Sequence, residues 1–405
     1  MKLGRDFNAL WFGQSLSLFG SAVTALALPS VAVLALRATP FQVGVLNALE
    51  FAAFPILGLA VGVWADRLAR RPIMIVADLV RSAMLASIVV AALTHRLGYA
   101  QLALTAAVMG IASVFFEICY QSYLPTLVDR AALTSANSRL EFTRSVSQLG
   151  GSGIAGPLIS AIGAPLALGV DAVSFVVSTI SLALIRTPEP AKPRATAATS
   201  FLGDMREGLA VVAGSPVLRS ITACTATLNF GTAINGAVSL IFAYRQLHLT
   251  PTVLGIVYAI GNIGFAGALF ATRLQRRFGL GVTLALAAVA QGAIALCVPL
   301  AIFGAPAAVI FAAQLVTTFV MPVYNINQVS LRQAMVPHAL HGRMNATIRT
   351  VVWGTLPLGA LAGGLLGNAI GSVRTIVAGS IVQLLGTLWI VATPVFRLRD
   401  GDGAR

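Results

Sequence analysis

Long apolar runs dominate the chain, broken at intervals by Gly, Pro and Arg. A helix needs about 20 mostly apolar residues to cross roughly 30 Å of hydrocarbon. Twelve stretches meet that need: 10–36, 44–64, 73–93, 102–123, 140–162 and 166–185, then, after a gap, 218–244, 253–274, 281–303, 307–328, 347–370 and 376–396. The runs do not alternate apolar with polar, so the pattern favours helices over barrel strands. It predicts an all-α integral membrane protein with 12 transmembrane helices. The first run is long and eleven more follow, so it reads as a span rather than a cleavable signal.

The interval 187–216 begins Pro- and Ala-rich and then turns amphipathic. Phe201, Met205, Leu209 and Val212 recur at helical spacing, with Asp204, Arg206 and Glu207 between them. This predicts a flexible cytoplasmic linker leading into a helix on the inner membrane surface. It separates a first six-helix bundle, 1–186, from a second, 217–405. The halves repeat one another. GVWADRLARR (Gly62 to Arg71) returns as GALFATRLQRR (Gly267 to Arg277), and GPLISAIG (Gly156 to Gly163) as GGLLGNAIG (Gly363 to Gly371). Repeated bundles are a common architecture of secondary transporters.

Polar residues break the apolar runs in register. Span 1 carries Gln14, Ser17, Ser21 and Thr24; span 7 carries Thr222, Thr225, Asn229 and Thr232. Both sets follow 3-4-3 spacing and so occupy one helix face. Span 10 adds Gln314, Thr318, Tyr324 and Gln328, and span 4 adds Tyr120 and Gln121. Such faces point to protein or water rather than lipid. They predict a cavity between spans 1, 4, 7 and 10; the alternative is interhelical Ser/Thr hydrogen bonding.

Composition agrees with a membrane protein: 57% of residues are apolar and only 10% charged. The excess of 27 Lys+Arg over 13 Asp+Glu would suggest nucleic acid in a soluble chain. Here four arginines (Arg37, Arg96, Arg245, Arg374) fall in outer loops and Arg81 lies inside span 3, leaving 22 basic residues on the opposite face. That bias places both termini in the cytoplasm and excludes a nucleic-acid partner. Cys119, Cys224 and Cys297 stand singly, so no metal site or disulfide framework is indicated.

Ionisable residues within spans mark transport chemistry or charge pairs. Glu50, which has no local partner, and Glu117, in the inner half of a stripe-bearing helix, are the first proton-coupling candidates, and Asp171 is the third. Asp78 with Arg81, and Glu141 with Arg144, are three apart and suit mutual neutralisation. No acidic residue lies between Glu207 and Asp400, so proton coupling belongs to the first half. Arg81 is the only basic residue expected in mid-membrane, which favours neutral or cationic cargo.

The segment carrying Gly62, Asp66, Arg67, Arg70 and Arg71 resembles the loop between spans 2 and 3 of the major facilitator superfamily. The resemblance implies an inward-face gate in which Gly62 admits a close helix contact. The second copy has no acid at Ala271 or Thr272. Stretches such as NALEFAAFPILGLAVGVWADR and SLRQAMVPHALHGRMNATIRTVVWGTLPLGALAGG are similar to the drug and siderophore exporters of that superfamily, the branch of macrolide efflux proteins and the enterobactin exporter. SGIAGP resembles its Gly-rich antiporter motif: Gly156 and Pro157 match and Ser152 replaces the first Gly.

The resemblance implies a monomeric inner-membrane exporter of small amphiphiles that exchanges cargo for protons across the lipid bilayer by alternating access. Uptake of a small metabolite is the alternative. No phosphate loop surrounds Lys2 or Lys192, and His95, His248, His338 and His341 form no HExxH. No cofactor, catalytic group or metal is expected, and the chain does not read as an enzyme.

Overall fold

The computed structural model describes residues 4–129, 132–189, 201–337 and 340–398, excluding the side chains of residues 59, 63, 65–67 and 201–206. Among the described residues every regular element is helical. The α-helices are α1 (Arg5–Ser30), α2 (Pro40–Arg67), α3 (Arg70–Leu93), α4 (Tyr99–Leu127), α5 (Leu133–Ile162), α6 (Ala164–Ala183), α7 (Phe201–Gly214), α8 (Pro216–Ile241), α9 (Pro251–Gly261), α10 (Ala271–Phe278), α11 (Leu280–Cys297), α12 (Pro306–Met335), α13 (His341–Gly386) and α14 (Leu388–Val391).

Among the described residues ten stretches are long and apolar enough to cross a membrane, so this is a multi-pass membrane protein. The twelve expected spans differ at two places. Helix α5 runs 30 residues but carries Arg139, Glu141 and Arg144, and is not among the ten. Helix α13 runs through two expected spans; its backbone leaves helical geometry only at Gly371 (φ 81°, ψ 165°). Only glycine adopts that conformation without strain, so two helices meet there.

The repeat extends into the backbone. A π-helical turn ends the first helix of each half, at Val31–Ala35 and at Phe242–Gln246. Each is followed by a left-handed residue, Arg37 (φ 51°) or His248 (φ 51°), and by Thr-Pro. The Thr39 and Thr250 hydroxyls each accept from the amide three residues on, at 3.3 Å, and so cap the next helix. His95 and Ala305 are a second left-handed pair, and Gly163 and Gly371 a third.

By contacts the chain forms two units, which follow the halves except at two helix starts. The first holds Met1–Ala38, Ala52–Thr196 and Thr250–Ala259. Its core packs Phe7 and Leu10 of α1 with Met74, Phe116, Cys119, Tyr123 and Leu182. Gly156 of α5 lies so close to α9 that a Cβ would strike the Pro251 carbonyl oxygen, with Gly255 Cα 2.9 Å away. Beside it the Thr252 hydroxyl bonds Ser160 at 2.8 Å.

The second unit holds Thr39–Phe51, Ala197–Leu249 and Ile260–Arg405. It repeats both features: Gly44 meets Gly364, and the Phe41 amide donates to Asn368 at 3.2 Å. Helices α8 and α13 touch through their backbones, with Gly359 and Gly363 against Phe230 and Ile234. The amphipathic helix α7 packs against this unit. Val212 is buried with Leu218, Val336, Met344 and Ile348, and Glu207 bonds Arg343 at 2.7 Å. Its Leu209 stays exposed, and the Phe201 and Met205 side chains lie outside the described residues.

Gly363→Val is expected to lower stability by about 1–3 kcal/mol, because the added atoms meet backbone that cannot turn aside. Gly214→Ala, where a Cβ meets nothing, is expected to be neutral or slightly stabilising. Loss of helical signal on heating the detergent-solubilised protein checks both.

Candidate functional site

The first unit buries its charges. Asp78 is fully buried, and an Arg81 Nη donates to one of its carboxylate oxygens. The Arg81 guanidinium lies between two rings, 4.4 Å from the Phe116 centroid and 4.2 Å from that of Phe175. Aromatic faces attract a cation, so this sandwich replaces part of the lost hydration. The other Asp78 oxygen and Arg81 Nε have no hydrogen bond.

Asp171 of α6 is also fully buried. Ser174 donates to Oδ1 at 2.8 Å and Ser21 at 3.5 Å, while Oδ2 has no partner. Gly20 makes the site possible: a Cβ there would overlap Ser174 and Asp171, so α1 reaches α6 only without one. Of the polar stripe of α1, Ser21 reaches this carboxylate. Gln14, Ser17 and Thr24 are buried, and neither Gln14 Oε1 nor Thr24 Oγ1 has a partner. Asp171 is near enough to Arg81 and Asp78 to interact electrostatically with both. Two carboxylates thus share one guanidinium.

The other ionisable candidates sit differently. The Glu50 side chain is exposed and makes no hydrogen bond or ion pair with the described residues. Glu117 accepts from Gln121 at 2.6 Å, and Tyr120 stacks on Phe116 at 6.0 Å. Glu141 and Arg144 form an exposed pair at 3.7 Å. Arg70 and Arg71 bind backbone at helix ends: Arg70 donates to Ser122 O at 2.9 Å, and Arg71 to Leu182 O at 2.7 Å and Ala183 O at 2.5 Å. Glu189 accepts from both their amides, at 2.9 and 2.8 Å, capping α3. The side chains of Asp66 and Arg67 lie outside the described residues. A Cβ at Gly62 would meet no atom of the described residues within 4 Å. A close approach is seen at Gly156, next to Pro157 within α5.

The second unit holds a half-open cavity of about 410 Å³ walled by α8, α11, α12 and α13. Small-molecule sites run from about 300 to 1,000 Å³. From the predicted stripes it takes Thr225, Asn229, Thr232, Tyr324 and Gln328. Tyr324 and Thr225 share a 2.9 Å hydrogen bond across the wall, and Gln328 donates to Asn325 at 2.8 Å. Thr222 is buried outside the lining. Gln314 and Thr318 turn the other way: Gln314 bonds Asn262 at 2.9 Å, and Thr318 bonds Gly261 O at 2.7 Å, fastening α12 to the helix beside it.

Sequence reasoning missed Gln291, Met321, Arg332, Asn345, Arg349 and Trp353, which also line the wall. The charge bias along the sequence puts both arginines on the basic cytoplasmic face. Yet α12 runs unbroken to Met335, and Arg332 is only 9% exposed. Arg81 is therefore not the only buried basic residue among the spans. The signal available was the length of the helical run, not hydropathy.

Asp78→Ala is expected to destabilise the protein by about 3–5 kcal/mol, since it strands the buried Arg81. The double variant Asp78→Leu/Arg81→Met is expected to recover most of that loss, measured as the unfolding midpoint in detergent.

The matches to known proteins follow the same outline. The family model of the Major Facilitator Superfamily matches residues 10–355. The chain is 27% identical over 355 residues to the multidrug efflux pump Tap of Mycolicibacterium fortuitum, covering 85% of this chain and 84% of that protein. It is 25% identical over 206 residues to macrolide efflux protein A of Streptococcus pyogenes, about half of each chain. Crystal structures of the nucleoside transporter NupG and of a bacterial homologue of the iron transporter ferroportin share the fold, each with a TM-score of 0.74. Their identities are 12% and 17%, over 96% of this chain and 99% and 100% of theirs. The chain belongs to the major facilitator superfamily of membrane transporters.

Proposed function

We propose that this chain is a secondary active exporter of small amphiphilic molecules, driven by proton entry and working by alternating access. The observation that carries the reading is the similarity to a multidrug efflux pump along 85% of the chain. In this reading α5 is a span, α13 is two spans broken at Gly371, and the helices make twelve. Both termini face the cytoplasm, as the arginine bias requires. The protein works as a monomer in the inner membrane. Its halves, 1–186 and 217–405, are joined by the linker 187–216.

Asp171 takes the coupling role ahead of Glu50 and Glu117. It is buried, one oxygen is unpartnered, and the nearest cation is already bonded to Asp78. An unpaired buried charge costs several kcal/mol, and a proton on Asp171 removes that cost. Proton entry down a potential of 100 mV supplies about 2.3 kcal/mol per charge. At about 1.4 kcal/mol per tenfold, each net charge sustains roughly a fortyfold gradient. The gating role of Asp66, Arg67, Arg70 and Arg71 belongs to the same reading.

Two measurements test it. In a host lacking its own pumps, expression is expected to raise tolerance to several amphiphilic compounds; an unchanged panel counts against export. In inside-out vesicles, adding an exported compound is expected to dissipate the pH gradient. Asp171→Asn is expected to abolish this effect, while Glu50→Gln and Glu117→Gln keep it. Full coupling in all three variants would overturn the proton assignment.

A further inference from the structure

Helix α7 joins two walls of the cavity. It passes into α8 at Ser215, whose hydroxyl accepts from the Leu218 amide at 3.3 Å. Along its length it lies against the first turns of α13. Gly208 comes so close that a Cβ there would overlap the Thr347 hydroxyl and stand 2.6 Å from the Arg343 carbonyl oxygen. The Thr347 side chain can turn, but the Arg343 backbone cannot move without shifting the helix. Next to this contact Arg343 donates to Glu207 at 2.7 Å. Val212 enters an apolar cluster with Met344, Ile348 and Val352, and Trp353 packs on that cluster. Ile348, Val352 and Trp353 also line the cavity. The same three turns of α13 therefore meet α7 through Arg343, Met344 and Thr347 and form cavity wall through Ile348, Val352 and Trp353.

Close-packed side chains pass a displacement on rather than absorb it. We propose that α7 braces the cargo cavity from behind and that Gly208 is a positioning residue, which sets where the α13 wall stands. A side chain at 208 separates α7 from α13, and the wall residues that share the Val212 cluster then lose their backing. Cargo affinity and the docking of α7 are coupled as a result, and such coupling is reciprocal. The segment between the halves is thus more than a tether, because its helical end holds part of the binding surface. The inference rests on the transport reading only in treating the occupant of the cavity as cargo.

The test uses the full chain in neutral detergent. Hydrogen exchange over 207–214 reads the docking of α7. Trp353 emission, taken as the difference between each chain and its Trp353→Phe counterpart, reads the wall. Gly208→Val is expected to speed exchange over 207–214 by about tenfold or more, the rate equivalent of an overpacking cost, and to shift Trp353 emission to the red. Glu207→Arg, which sets two cations side by side, is expected to move both readouts the same way by less. Adding Arg343→Glu to it is expected to return both toward the unaltered values, a rescue that decides the matter if Gly208→Val does not fold. In inside-out vesicles Glu207→Arg is expected to raise the KM for rhodamine 6G with kcat little changed, and the charge swap to lower it again. Unchanged exchange over 207–214 in both single variants overturns the proposal, as does a freed α7 with unmoved Trp353 emission or unmoved KM. Absence of rhodamine 6G transport by the unaltered chain counts against the export reading, and the Trp353 readout then decides the brace by itself.

Discussion

Helices in lipid gain little from hiding apolar surface against one another, because the surrounding tails are as apolar as leucine. Backbone approach through small residues takes the place of that drive, and this chain uses it at matching places. Gly156 with Gly255, and Gly44 with Gly364, bring helices to contact distance in the two units. Gly359 and Gly363 do the same for α8 and α13. Gly20 lets α1 reach α6, and only that approach buries Asp171 beside Ser21 and Ser174. The polar chemistry of the first unit thus depends on a missing Cβ.

On a shared backbone the two halves fill their interiors differently. The offset that relates Gly163 to Gly371 takes Asp171 to Gly379. The offset that relates His95 to Ala305 takes Asp78 to Ala288 and Arg81 to Gln291. Where the first half builds a buried charge network, the second places small or neutral residues, and Gln291 lines an open cavity. The first unit buries an acid, Asp171, with one unpartnered oxygen, and the second lines a cavity with Arg332.

Much of the helical framework was legible because its causes are local. Apolar length shows a span and the Pro/Ala-rich stretch marks the join. The stripe at Thr225, Asn229 and Thr232 showed which face of α8 looks inward. The same rule failed for Gln314 and Thr318, which have the same spacing but bond to a neighbouring helix. A stripe says that a face is polar, not which neighbour receives it. Hydropathy also separated two spans that a single glycine hinge joins.

Charge shows the division most clearly. The sequence alone determined that the chain is helical, membrane-embedded, duplicated and basic on one face, because length, hydropathy and repetition act along the chain. It also confined every span acid to the first half. Which acid is buried with an unpartnered oxygen, and which arginine is buried at the end of a span, only the packing decided. Asp171 and Arg332 owe their character to neighbours on other helices, and no spacing along one helix encodes how far a side chain is held from water.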